Sequence, residues 1–177
     1  MKKKTLALVL ALTLLVAGIV GGTLAWLTDQ TAEVKNTFTV GDINIGLTET
    51  TADYKMVPGN TIAKDPTVTV KANSEACWLF VQVTESTDLK DFITYAIAEG
   101  WAALPGVDGV YYREVPASAA GQTFSVLADD AVTVKSDVTR TMLETAKTDA
   151  PTLTFQAYAI QRDHFATADA AWAEVSK

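Results

Sequence analysis

Cys77-Trp78-Leu79-Phe80-Val81-Gln82-Val83-Thr84 is the stretch that decides the fold. A strand sends successive side chains to opposite faces, and here both parities are apolar: Trp78 and Phe80 on one, Cys77, Leu79, Val81 and Val83 on the other. Such a strand is central, with both faces covered. Upstream, Thr67-Val68-Thr69-Val70-Lys71 alternates apolar and polar residues, which predicts a strand with one wet face, and Asn73-Ser74-Glu75 turns the chain between the two. Pro58-Gly59-Asn60 is an earlier turn, with Pro presetting φ and Gly accepting a positive one.

Downstream, a polar connection over residues 86–90 leads into Phe92-Ile93-Thr94-Tyr95-Ala96-Ile97, which reads as a strand. The turn cluster Pro105-Gly106-Val107-Asp108-Gly109 ahead of Val110-Tyr111-Tyr112-Arg113-Glu114-Val115 is a hairpin signal. Thr123-Phe124-Ser125-Val126-Leu127, Ala131-Val132-Thr133-Val134 and Leu153-Thr154-Phe155-Gln156-Ala157-Tyr158-Ala159-Ile160 continue the pattern. Within residues 136–147, Val138, Met142, Leu143 and Ala146 recur at helical spacing. Thr167 is placed to cap a closing helix, with Asp169 in its first turn and Ala168, Ala171, Trp172 and Val175 on one face. Seven to nine short strands with little helix predict an all-β fold, an antiparallel sandwich with one or two short peripheral helices.

The N-terminus has the regions of an export signal. Lys2, Lys3 and Lys4 form a positive end, residues 6–20 are an uncharged apolar run, and Gly21-Gly22 weaken the helix ahead of Thr23-Leu24-Ala25. The small residues at Thr23 and Ala25 place cleavage before Trp26 and divide the chain into a signal helix (1–25), a mature N-terminal segment (26–40) and one sandwich domain (41–177). The stretch from Thr5 to Leu27 is also just long enough to span a bilayer of about 30 Å as an uncleaved anchor. Under either reading the remainder lies outside the membrane, so membrane contact is confined to the segment before cleavage. Past the leader, apolar residues fall on even numbers at Val34, Phe38 and Val40 and on odd ones at Ile43, Ile45 and Leu47. A period of two changes parity only through an extra residue, so a bulge or bend is expected at Gly41-Asp42.

Gly21-Gly22-Thr23-Leu24-Ala25-Trp26-Leu27-Thr28-Asp29, with Asn36-Thr37-Phe38-Thr39-Val40-Gly41 and Ile43-Asn44-Ile45-Gly46-Leu47-Thr48-Glu49, resembles the start of the TasA/camelysin family, exported proteins of Gram-positive bacteria. Weaker likenesses follow at Val57-Pro58-Gly59-Asn60, at the central strand and at Phe155-Gln156-Ala157-Tyr158. The resemblance implies a jelly-roll sandwich, processing by a dedicated SipW-type signal peptidase, and assembly of copies into matrix or cell-surface fibres. It also raises zinc peptidase activity, which camelysin is described as having.

Composition bears on these expectations. Loss of the leader lysines takes the formal net charge from −7 to about −10, which argues against a nucleic-acid partner and disfavours non-specific adhesion to acidic polymers. A lone cysteine, Cys77, forms no intrachain disulfide and reads as a small buried hydrophobe. A catalytic zinc site commonly uses two or more histidines; the chain has one, His164, which reads as a surface residue. No Gly-x-Ser-x-Gly elbow, phosphate loop or calcium loop is present, and Asp129-Asp130 and Asp163 with Asp169 read as solvated acidic loops. No enzyme and no cofactor is expected.

The leading expectation is therefore a secreted fibre subunit, assembling once the segment from Trp26 is released and added as a strand to another copy, with Trp26, Leu27, Val34 and Phe38 filling pockets there. That segment forming an edge strand of its own domain is the competing reading. A monomeric binding module is a second functional class, for which Trp101, Tyr111 and Tyr112 would form an aromatic face, though cross-strand packing explains the same residues.

Overall fold

A computed structural model of the chain describes Lys3, residues 42–50 and residues 54–177. The chain divides into two compact units, Met1–Thr39 and Val40–Lys177; the fold below is that of the second. Among the described residues no helix is long and apolar enough to cross a membrane.

The unit is an all-β antiparallel sandwich. One sheet has the order β10-β4-β7-β6, with β4 (Cys77–Glu85) between β10 (Leu153–Gln161) and β7 (Val110–Val115), and β6 (Ala102–Ala103) beyond β7. The opposing layer comes in two parts: β1 (Ile45–Thr48), β3 (Thr67–Val70) and β8 (Gln122–Ser125), then β2 (Thr61–Ala63), β9 (Ala131–Val134) and β5 (Ile93–Thr94). These parts are one bent layer in sequence, because β2 runs into β3 across Lys64-Asp65-Pro66 and β8 into β9 across residues 126–130. Pro66 has no N–H to give a ladder, yet its carbonyl still accepts from the Val126 N–H at 2.9 Å, so pairing survives the bend. From β3 to β10 the chain crosses between layers repeatedly, with the β6–β7 hairpin kept in one layer and β8 and β9 successive in the other.

The central strand behaves as its composition demands. Cys77, Leu79, Val81 and Val83 join Val68, Val70 and Val115 between the layers, while Phe80 and Trp78 face the other way, under the closing helix. There Phe80 lies opposite Tyr158 on β10 and Tyr112 on β7, and Trp172 packs on Phe80 with ring centroids 5.3 Å apart. That helix, α3 (Ala168–Val175), begins at the expected cap: the Thr167 side chain accepts from the Ala170 N–H. Thr139 caps α2 (Arg140–Ala146) in the same way through Met142.

Several expectations need correcting. Among the described residues ten strands form rather than seven to nine, because β2 was not expected and two others are two residues long. The strand expected from Phe92 is mostly absent: Leu89–Phe92 is a helical turn, α1, and only Ile93–Thr94 pairs with β9. Leu89 and Phe92 both reach the core from one side of that turn, and their three-residue spacing is helical. Among residues 42–50 and 54–177 the helices are few and short, as expected, with the single turn α1 added to α2 and α3. Ile43, just before β1, and Ile45 on it pack inward, whereas Leu47 is left 36% exposed. The bend expected at Gly41-Asp42 begins outside the described residues.

Candidate assembly site

A sandwich has two lateral margins, and here they differ. At the margin between β6 and β8, the Trp101 indole N–H donates to the Ser125 carbonyl at 2.9 Å, a bond from one layer to the other. Beside it the Arg113 guanidinium lies 3.9 Å from the Phe124 ring centroid and 5.3 Å from that of Trp101. The stack covers the core edge with two rings and a cation, and its partial burial lowers the pKa of Arg113 from the usual guanidinium value.

The margin between β1 and β10 lacks such a closure. Among the described residues β10 pairs only with β4 and β1 only with β3, so a nine-residue strand carries an unpaired edge. In an antiparallel strand every second residue directs its N–H and C=O to one side, so the open edge presents a row of donors and acceptors. The inward side chains next to it, Leu153, Phe155, Ala157 and Ala159, touch the inter-layer core but stay partly exposed. A cleft of about 310 Å³ opens there between Leu47 and Pro66 on one side and Leu153 and Phe155 on the other. A second, of about 430 Å³, shares Leu153 and Thr154 and is walled by Met56, Ile62 and Val132. Backbone groups without partners beside apolar pockets are what an added strand satisfies.

One corner of this margin is held by charge. Lys64 is buried, and its Nζ lies 2.6 Å from Glu49 Oε1, 4.7 Å from the Tyr54 ring centroid and 5.4 Å from that of Phe155. Glu49 also accepts from the Tyr54 hydroxyl at 2.7 Å; burial first, and then this bond, push the phenol well above its ordinary pKa. Asp65 accepts from the Thr50 backbone N–H at 3.0 Å and from the Thr50 hydroxyl, and these bonds hold its carboxyl below the ordinary carboxylate range.

Of the residues named from sequence, Thr23, Ala25, Trp26, Leu27, Val34 and Phe38 lie outside the described residues. Trp101, Tyr111 and Tyr112 do not share a face: Tyr112 packs with Trp78 and Phe80 beneath α3, and Tyr111 with the inter-layer core. They are neighbours on a strand, so period two alone separates them. Arg113 was the missed signal at the closed margin, a cation on the core parity of β7 between Tyr111 and Val115. Lys64 left no sequence signal that would mark it as buried.

Residues 1–87 match the family model described as camelysin metallo-endopeptidase, a stretch ending just past β4. Over that stretch the chain is similar to the camelysin family. No curated protein and no solved structure matches the chain. The camelysin description implies a metal, and the described residues do not fit one. No three His, Cys, Asp or Glu side chains gather among them; His164 is exposed, and Cys77 is fully buried with burial pushing its thiol up to about 11. Asp130 Oδ1 is buried without a hydrogen-bond partner among the described residues, but it belongs to no group of three such side chains there.

Proposed function

We propose that this chain, similar over residues 1–87 to the camelysin family, is a non-enzymatic, exported structural subunit of extracellular fibres in the biofilm matrix or on the surface of a Gram-positive cell. A SipW-type peptidase cuts before Trp26, and the freed segment 26–40 adds as a strand to the next copy. The observation that carries this reading is the open edge of β10 beside the cleft at Leu47, Pro66, Leu153 and Phe155. Main-chain hydrogen bonds supply sequence-independent affinity, and Val34 and Phe38, two of the residues on one parity, supply side chains for the pockets. A head-to-tail contact of this kind does not close on itself, so it propagates. Before cleavage the segment is tethered to the membrane, which makes processing the switch for assembly.

Electron microscopy of protein beginning at Trp26 and at Asn36 tests this. The longer form is expected to elongate and the shorter to stay monomeric. Gln156→Lys, which sets a charge at an exposed position of the open edge strand, is expected to slow elongation of the longer form without unfolding it. Equal polymerisation of the two lengths refutes strand donation.

A further inference from the structure

A different cleft, of about 380 Å³, opens where the end of β4 meets α1 and β5. Its apolar base is Leu89 and Ile93, both buried, and its walls carry Glu85, Lys90, Tyr95, Tyr111 and Lys135. The Tyr95 hydroxyl donates to Glu85, so the one carboxylate of the cleft is already engaged by a phenol. Burial first, and then that bond, keep Tyr95 protonated far above neutral pH, and the Tyr111 hydroxyl is near enough to add to the effect. Neither Lys90 nor Lys135 has an ion-pair partner among the described residues. In an acidic chain, two ammonium groups thus border a hollow that also holds two tyrosines and a hydrogen-bonding carboxylate.

We propose that this cleft binds a short acidic saccharide, with Lys90 and Lys135 pairing its carboxylate, the tyrosines taking the apolar face of the sugar ring and the Glu85–Tyr95 pair bonding its hydroxyls. Sugar rings present C–H faces to aromatic surfaces and hydroxyl edges to mixed donors and acceptors, and the cleft supplies both. The volume falls in the range of small-ligand sites, about 300–1,000 Å³. The overall negative charge repels a long polyanion at a distance, but beyond about 8 Å that field is screened at physiological salt, so a short oligomer senses mainly the local lysines. Assembly into fibres is not a premise of this site, and either result of the length comparison above leaves it standing.

The test is titration of the protein, as purified from expressing cells, with trigalacturonate, read by calorimetry and by NMR of ring-labelled tyrosine. Saturable binding is expected, with a dissociation constant of roughly 0.1–1 mM, shifts at Tyr95 and Tyr111, and weakening by added salt. The double variant Lys90→Gln, Lys135→Gln is expected to weaken binding about fivefold to twentyfold, with an unchanged thermal midpoint because both substitutions lie at the rim. The uncharged trigalactose should bind correspondingly weakly. Absence of binding at millimolar trigalacturonate, binding indifferent to the lysine substitutions, or equally tight binding of trialanine, a carboxylate without a sugar ring, overturns the proposal.

Discussion

The Trp101 indole N–H and the Ser125 carbonyl, 2.9 Å apart, join the two layers of the sandwich at the margin of β6 and β8. At the opposite margin the edges of β1 and β10 face the solvent side of the core with no such bond among the described residues. An antiparallel sandwich exposes main-chain groups at every edge, and proteins limit the hazard with short strands or charge. Here the closed margin uses both, since β6 is two residues long and Arg113 lies beside it. The open one has nine residues of strand with alternating apolar side chains.

Trp101→Phe should therefore loosen the closed margin. Loss of one partly exposed hydrogen bond costs about 1 kcal/mol, seen as a lower urea midpoint with an unchanged slope. A midpoint equal to that of the parent protein would mean that the stack of Arg113 on Phe124 closes this side unaided.

Gly109 is the turn position least open to substitution. Its φ is +72°, and an added Cβ would stand 2.5 Å from the Val83 carbonyl oxygen, a backbone atom of the central strand. Its own carbonyl accepts from the Val83 N–H at 2.7 Å, so the turn cannot move aside without giving up that bond. Gly109→Ala is expected to cost more than about 2 kcal/mol, the backbone conformation and the contact adding together. Gly59→Ala, with a similar φ of +81° and nothing within 4 Å of the added carbon, should cost only the conformational part. Thermal melting of the two variants compares them directly.

Acid should release the corner at Asp65 before it unfolds the sandwich. The Thr50 hydroxyl and N–H lower the folded pKa of this carboxyl below its ordinary value of 3.8, so the stabilisation is present above that value and is lost as pH falls through the folded pKa. Melting temperatures of the parent and Asp65→Asn proteins are expected to differ at neutral pH and to converge below the ordinary carboxylate range. Curves separated by the same interval at every pH would remove Asp65 from the account.

Cys77 should behave as a core residue rather than a reactive thiol. It is fully buried, and burial raises its pKa to about 11, so little thiolate exists at pH 8 and none of it is accessible. Reaction with a disulfide reagent is expected only at the rate of unfolding, and complete within seconds in denaturant. Fast modification of the native protein would show that β4 opens locally.

Most of the architecture was legible because its causes are local. The two apolar parities of residues 77–84 announced a strand covered on both faces, Pro58-Gly59 announced a turn whose glycine has φ of +81°, and Thr167 announced a cap. Each signal acts within a few residues through strand period, backbone freedom or an unsatisfied N–H. The same reading failed at Leu89–Phe92, where a single helical turn is too short for periodicity to distinguish from the start of a strand.

By itself, then, the sequence determined an antiparallel β-rich domain, because periodicity and turn chemistry are written residue by residue. Only the tertiary structure decided which margin carries the Trp101 bond, that β10 pairs only with β4 among the described residues, and that Lys64 is buried against Glu49 and Phe155. Those outcomes depend on pairs 15 to 91 positions apart along the chain, such as Lys64 with Glu49 and Lys64 with Phe155. No local pattern records them: the energy of such a pair exists only once the layers have come together and excluded water.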